Sequence, residues 1–338
     1  MSKRTVRKPF SLGSLMSQTS TKKTKVAIGV ITKGRPDMLL VLLTSYAALT
    51  CPKGFVFEFF IVENDANPQL DDVIADFRIK TKCDVNYTQE GEPGIPFARN
   101  AVMQLAHASG AKYLLFADDD ERVPTDWAAE LIGVMEEHRL DLVGGPLRIE
   151  AKTALQTSRQ RAVLAFLQKK ARRSELARAE KLGRDHLYSG EIYTNNWAVR
   201  LDFVCKHDLW FDKELRFTGG SDTAFSLAAR RLGATIGWAP NAVVYDRIPP
   251  QRLTLNYHYR RTRDQTRNGF LLRGKSQWDV PLFVMARSVE ALSALASAVF
   301  LGQVGCVKAV NKFAQAVGRI RGGFGEKSTL YAPENSIK

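Results

Sequence analysis

From Lys25 onward, short apolar runs alternate with longer stretches whose apolar residues recur at helical spacing. Val26-Ala-Ile-Gly-Val-Ile31, Phe57 to Val62, Tyr113 to Ala117 and Leu140 to Val143 predict buried strands. Asp37 to Leu49, Ile95 to Ala108, and Thr125 to His138, which opens on a capping-type Thr-Asp, predict the helices between them. Strands alternating with helices imply an α/β fold with a mainly parallel sheet covered on both faces. Ligands of such sheets bind beyond the carboxyl ends of the strands, which directs attention to the residues after Ile31, Val62 and Ala117.

After Glu150 the pattern predicts a basic surface helix over Ser158 to Leu182, a strand over Ile192 to Arg200, and a short helix from Thr223 to Leu232 led by Gly219-Gly-Ser-Asp222. Beyond Arg252 come a basic helical stretch and two Ala/Val-rich segments, about 281–301 and 304–320. Ala291 to Val307 carries no charge, yet it is short for a membrane span and holds Ser, Gln and Gly. The expectation is a helical pair lying on a membrane surface or on the domain, not a crossing helix.

The chain has 338 residues, 45% of them hydrophobic, and a formal net charge of +14. Net charge of that sign suits an anionic partner such as nucleic acid, a nucleotide or an acidic membrane. Its distribution is uneven: residues 1–25 carry +7, 26–150 carry −9, 151–190 carry +7, and the remainder +9. An acidic half with basic attachments, and no aromatics interleaved with the basic patches, argues against a nucleic-acid binder. Residues 1–24 read as a disordered basic tail without the apolar core of a secretory signal. Cys51, Cys83, Cys205 and Cys306 lie far apart and form no zinc or disulfide pattern, which fits a reducing cytoplasm.

The strongest chemical signal is Asp118-Asp119-Asp120-Glu121, four carboxylates directly after a buried strand. Helix capping accounts for one or two of them, not four. Asp118 and Asp120, two apart at a strand end, can point the same way toward Mg2+ or Mn2+, leaving positions open for phosphate oxygens. Thr32-Lys-Gly-Arg35, Glu63-Asn-Asp65 and Gly91-Glu-Pro-Gly94 stand at other strand ends, the last before a helix carrying Arg99. Together they supply base and ribose acceptors beside a guanidinium. A dinucleotide fingerprint is excluded, because ITKGRPD holds one glycine where that motif needs several.

The order VAIGVITKGRPDML, FFIVENDA, GEPGIPFARNAV, YLLFADDDERVPTDW and FTGGSDTAFSLAARRLGATIGWAPNAVVYDRIP resembles family 2 inverting glycosyltransferases of the GT-A fold. Within them it is most similar to bacterial succinoglycan-type exopolysaccharide enzymes, over about residues 25–270. The resemblance implies a nucleotide-diphospho-sugar transferase domain over 25–270, with a nucleotide-sugar half over 25–150 and an acceptor half over 151–270. The basic helix of 151–190 would be an insertion in that acceptor half, and 271–338 would be C-terminal, membrane-associating helices.

By that resemblance, Thr32, Arg35, Glu63, Asn64 and Asp65 surround the donor's base and ribose. Arg99 and Asp119 lie near the nucleotide, Asp118 and Asp120 form a DxD metal site on the diphosphate, and Asp222 is the catalytic base. Members usually carry Gly-Glu-Asp where this chain has Gly220-Ser221-Asp222, so a Glu associated with acceptor binding is replaced. As a plain helix cap, Asp222 would have no chemical role. Arg252, Arg260, Arg261 and Arg263 are candidates to clamp donor phosphates, although three so closely spaced on one helix cannot share a face. Asp246 stands where members often have a His or an acidic residue. Asn195, Asn196 and Trp197 are acceptor-side candidates. The implied activity is metal-dependent, inverting transfer of a hexose from a nucleotide sugar, UDP-linked by preference. The acceptor would be a lipid-linked oligosaccharide or growing polysaccharide at the cytoplasmic face of a bacterial inner membrane with an anionic surface. The alternative, suggested by Ser221, is a catalytically inactive scaffold or glycan-binding subunit.

Overall fold

A computed structural model describes residues 23–328. All but the last two residues of the expected basic tail lie outside them. The first strand, β1 (Thr24–Thr32), is β-branched and fully buried at its centre, as a strand covered on both faces must be. It pairs in parallel with β2 (Phe55–Glu63) on one side and β4 (Tyr113–Ala117) on the other, and β3 (Asp84–Gln89) extends the sheet beyond β2. Between the strands run α1 (Pro36–Ala47), α2 (Asp71–Lys80) and α3 (Ile95–Ala108). Pro36 starts α1 at a position where a missing N–H costs nothing, with Asp37 in the first turn favouring the helix dipole.

The mixed α/β architecture matches the sequence reading, with several additional elements and several shifted ends. α2 and β3 were not expected: α2 buries only Ile74 and Phe77, and β3 is a polar edge strand, so neither carries a strong periodic signal. The strand expected from Ile192 is only β8 (Asn196–Arg200), and it runs antiparallel between β4 and β6 (Leu142–Gly144), with β9 (Ile236–Trp238) beyond. The helix expected from Thr125 is α4 (Trp127–Glu137), and its Asp126 makes no side-chain cap.

Two apolar clusters fill the two faces of this seven-stranded sheet. One joins Ile28, Val30, Phe59 and Leu115 to α1 and α4; the other joins Val62, Phe116 and Trp197 to α3 and Phe211. Gly29 permits the second: a Cβ there would stand 2.6 Å from Val102 Cγ1, so α3 packs on the bare backbone of β1.

A second, small sheet sets β10 (Val244–Ile248) between β5 (Glu121–Arg122) and β7 (Leu147–Ala151). It places Asp246 opposite Glu121, against the acidic turn. α6 (Leu201–Lys206) follows β8, and α7 (Ser221–Arg231) follows Gly220, whose φ of 88° is a conformation glycine adopts without strain. α5 (Ser158–Glu180) opens on a reciprocal capping box of Thr157 and Gln160 and buries only Ala162 and Val163. The chain ends in α8 (Leu255–Leu272), α9 (Asp279–Leu301) and α10 (Gln303–Gly323).

Candidate active site

The carboxyl ends of β1, β2 and β4 converge with β10 and the start of α7. The four consecutive carboxylates meet different fates there. Asp119 is buried and committed: Thr32 Oγ1 donates to Asp119 Oδ2 at 2.7 Å and Arg35 Nη1 donates to Asp119 Oδ1 at 3.1 Å. Glu121 turns back, accepting the Asp118 backbone N–H at 2.7 Å and the Asn195 side-chain amide at 3.3 Å. Asp118 and Asp120 remain. Arg252 Nη1 donates to Asp120 Oδ2 at 2.9 Å, with Arg35 at 3.9 Å from the same oxygen. Arg99 Nη2 stands 3.6 Å from Asp118 Oδ1.

These carboxylates repel one another in a poorly solvated place. Desolvation, opposed by Arg99 and reinforced by Asp120, Asp119 and Asp222, pushes Asp118 up to about 6. Desolvation and Asp120 push Asp246 up to about 7, against the pull of Arg261. Glu121, fully enclosed beside Asp118 and Asp246, is raised well above the ordinary carboxylate range. Excess negative charge relievable by a divalent cation is what a hard metal would find here, so Asp118 and Asp120 fit one. Among the described residues, no three metal-ligating side chains are set to enclose an ion. Its other ligands would therefore be phosphate oxygens or water.

Asp222 is the second residue of α7, half-buried, and near enough to raise Asp118. Its Oδ1 accepts only the adjacent Thr223 N–H, and Gly220, not Asp222, is the cap residue. Arg99 ties the two sides together, its Nη1 donating to Ser221 Oγ at 3.2 Å. At position 221 this chain presents a hydroxyl to a buried guanidinium whose Nε has no hydrogen-bond partner among the described residues.

The residues after β2 are used for support more than for contact. Glu63 is buried, accepting from the Gln69 backbone N–H at 3.0 Å and from the Tyr87 hydroxyl, whose own ionisation is driven up by burial and this bond. Asn64 donates to the carbonyls of Glu90 and Glu92 and accepts from Gly94 N–H, pinning the Gly-Glu-Pro-Gly loop to the sheet. Gly94, at φ 139°, opens α3, and a Cβ there would meet Arg216 Cβ at 2.7 Å. Asp65 remains half-exposed beside the turn at Gly34.

Three expectations are corrected. Asn196 cannot face an acceptor: it is 2% exposed, accepts from Trp127 Nε1 at 2.9 Å, and donates to the carbonyls of Pro146 and Ala242. Trp197 is 1% exposed and packs among Phe116, Phe211 and Phe225 in the core, because alternate strand residues face opposite ways and both faces are covered. Arg263 does not join the phosphate clamp; it binds Asp264 through two hydrogen bonds of 2.9 and 3.1 Å, in a buried group shared with Arg267. Arg260 is exposed, whereas Arg252 touches Asp120 and the Arg261 charge acts on Asp246. Asp246, Glu121 and Tyr87 are site components that motif spacing alone underweights. Their signal is pairing between distant strands, which a linear reading does not display.

Comparison with known proteins identifies the family and the fold. The succinoglycan biosynthesis protein ExoM of Rhizobium meliloti (strain 1021) is 28% identical over 267 residues, 76% of this chain and 80% of that protein. Among solved structures, the mannosyltransferase PcManGT from Pyrobaculum calidifontis, in complex with GDP-Man and Mn2+, aligns with a TM-score of 0.62 at 12% identity, covering 90% of this chain and 88% of its own. S. aureus TarS 1-349 aligns at 0.50 and 15% identity, covering 89% and 92%. At such identities the two structures share the fold, the GT-A arrangement of a large, mostly parallel sheet flanked by helices. Residues 27–196, half of the chain and the part that builds the acidic turn and the strand ends around it, match Glycosyl transferase family 2, and the chain belongs to that family of glycosyltransferases.

Proposed function

We propose that this glycosyltransferase moves a hexose, with inversion, from a nucleoside-diphosphate sugar, UDP-linked by preference, to a lipid-linked or growing polysaccharide acceptor. The observation that carries the reading is that Arg99, 3.6 Å from Asp118 and bonded to Ser221 at 3.2 Å, brings the acidic turn and the start of α7 with Asp222 to one place. Asp118 and Asp120 would hold a divalent cation, Mg2+ or Mn2+, which as a Lewis acid stabilises charge on the departing diphosphate. Arg252, already on Asp120, is positioned to turn to the phosphates when a cation takes over that carboxylate. Asp222 would take the proton from the acceptor hydroxyl as that oxygen attacks the anomeric carbon from the side away from the diphosphate. Thr32 and Arg35 hold Asp119, Asn64 holds the 90–94 loop, and the half-exposed Asp65 would meet the ribose.

Support comes from PcManGT, named with GDP-Man and Mn2+ on a shared fold, and from ExoM, named for succinoglycan biosynthesis. The C-terminal helices and the basic surface of α5 support work at the cytoplasmic side of an anionic membrane. Incubating the protein with a panel of nucleotide sugars and Mn2+ tests the reading by donor hydrolysis and transfer. Asp222→Asn should lower kcat by about 100-fold or more, as loss of a general base does. Asp120→Ala should lower it by about 1000-fold, as loss of metal stabilisation does. No turnover of any donor by the unaltered protein would leave the scaffold reading in its place.

A further inference from the structure

α9 is long and apolar enough to cross a membrane, with mean hydropathy 1.5 over Asp279–Phe300, and none of that stretch is buried. Its apolar residues are not spread evenly. Leu282, Met285, Val289, Leu292, Leu295 and Val299 recur at three- and four-residue steps on one face, each more than half exposed, and Phe300 follows, 90% exposed. The opposite face is fully engaged with α10. Ala298 meets Gly305, Glu290 pairs with Lys312, the Arg319 guanidinium lies 4.0 Å from the Phe283 ring, and Val280 meets Gly323. As one partner's number falls the other's rises, so the two helices run antiparallel in contact from end to end.

That pairing decides between spanning and lying flat. A crossing α9 would draw α10 into hydrocarbon with Lys308, Lys312, Arg319 and Arg321, or else peel away from it. α10 is also held on its far side: Asn311 bonds His258 and Thr262 of α8, and Gly318 lies against the Arg263 carbonyl, where a Cβ would stand 2.3 Å away. We propose that α9 seats the enzyme on an anionic lipid surface with its axis in the membrane plane, immersing only its outer face and crossing nothing. Charge suits that occupant, because Lys275, Lys308 and Lys327 flank the seat and α5 beside α10 is strongly basic.

The seat also has a direction. The turn after Phe300 reaches α5, where Gln303 Nε2 donates to Ser158 Oγ at 3.0 Å. Two residues on, Gln160 Nε2 donates to the Pro250 carbonyl at 3.5 Å, and Arg252 of the same segment holds Asp120. The Val299–Phe300 end therefore lies toward the active site, where an acceptor borne on lipid would rise from the membrane. This last step rests on the proposed function; the seat itself does not.

The test uses the full chain and vesicles of phosphatidylcholine mixed with phosphatidylglycerol. The protein should float with them, and lipids brominated near the headgroup should quench both Trp278 and, in a Trp278→Phe background, Val289→Trp more than lipids brominated near the chain ends. Leu282→Ser/Leu292→Ser, both at exposed positions, should lower vesicle partitioning by about tenfold or more while leaving lipid-free donor hydrolysis unchanged. Strongest quenching of Val289→Trp by deep bromines would show a crossing helix and overturn the proposal. So would absence of flotation, or a lipid-free dimer that the double variant makes monomeric, which would identify a second copy as the occupant. Flotation by a protein without donor hydrolysis would keep the seat and remove the enzymatic reading.

Discussion

Asp119 and Asp118 are neighbours in the chain with opposite uses, because a turn after β4 sends successive side chains to different partners. Asp119 is neutralised by Thr32 and Arg35 and so belongs to the scaffold, while Asp118 keeps its charge conflict with Asp120. Asn196 shows the same separation on β8. It satisfies two carbonyls and one indole N–H that are otherwise buried. Asn196→Ala should therefore cost about 2–3 kcal/mol of stability, read in urea denaturation, because buried groups lose their partners. The affinity of the remaining folded protein for acceptor should not change, in contrast to substitutions at Asn195, which lies at the edge of the acidic turn.

Among the elements, α8 and α10 interlock through small residues, Gly318 and Gly322. Gly318→Val would drive side-chain atoms into the Arg263 carbonyl and Thr266, and should destabilise the protein by about 1–3 kcal/mol through overpacking. His258 marks the junction of α5, α8 and α10. The Phe166 ring lies 5.4 Å from it, and Asn311 Nδ2 donates to its Nε2 at 3.1 Å, a bond that requires the neutral ring. Burial, with Lys170 and Arg261 adding to it, lowers its pKa to about 4 from an unfolded value near 6.5. The folded state thus binds fewer protons, and the associated stability is present above about pH 6.5 and lost as pH falls toward 4. At pH 5 the loss should be about 2 kcal/mol. Thermal denaturation at pH 7 and pH 5 should show a smaller difference in His258→Gln than in the unaltered protein.

For the whole molecule, the excess of +14 conceals an acidic half flanked by basic helices. The acidic turn contributes to the first, and on the proposed reading its carboxylates would hold a cation and, through it, an anionic donor. Folding and ligand binding are then coupled. UDP with Mn2+ at about 100 times its dissociation constant should stabilise the protein by about 2.7 kcal/mol, measured as a rise in Tm. Neither UDP alone nor the pair with Asp120→Ala should reproduce the full rise.

The sequence by itself determined the parallel core and the neighbourhood of its site. Buried strands such as β1 and β4 announce themselves by unbroken apolar runs, α3 by its spacing, and the acidic turn by a crowding of charge that needs an external reason. Weakly patterned elements escaped it, because the polar edge strand β3 and the thinly buried α2 draw their stability from neighbours distant in the chain. Only the tertiary structure decided which carboxylates are spent on the scaffold, that Asn196 and Trp197 face inward, and that Arg252 reaches Asp120 while Arg263 turns to Asp264. It alone also showed that α9 is bound along its whole length to α10. Each of these depends on which distant side chain occupies the other end of a hydrogen bond or packing contact, and such partners are brought together by strand pairing and helix packing, not by spacing along the chain.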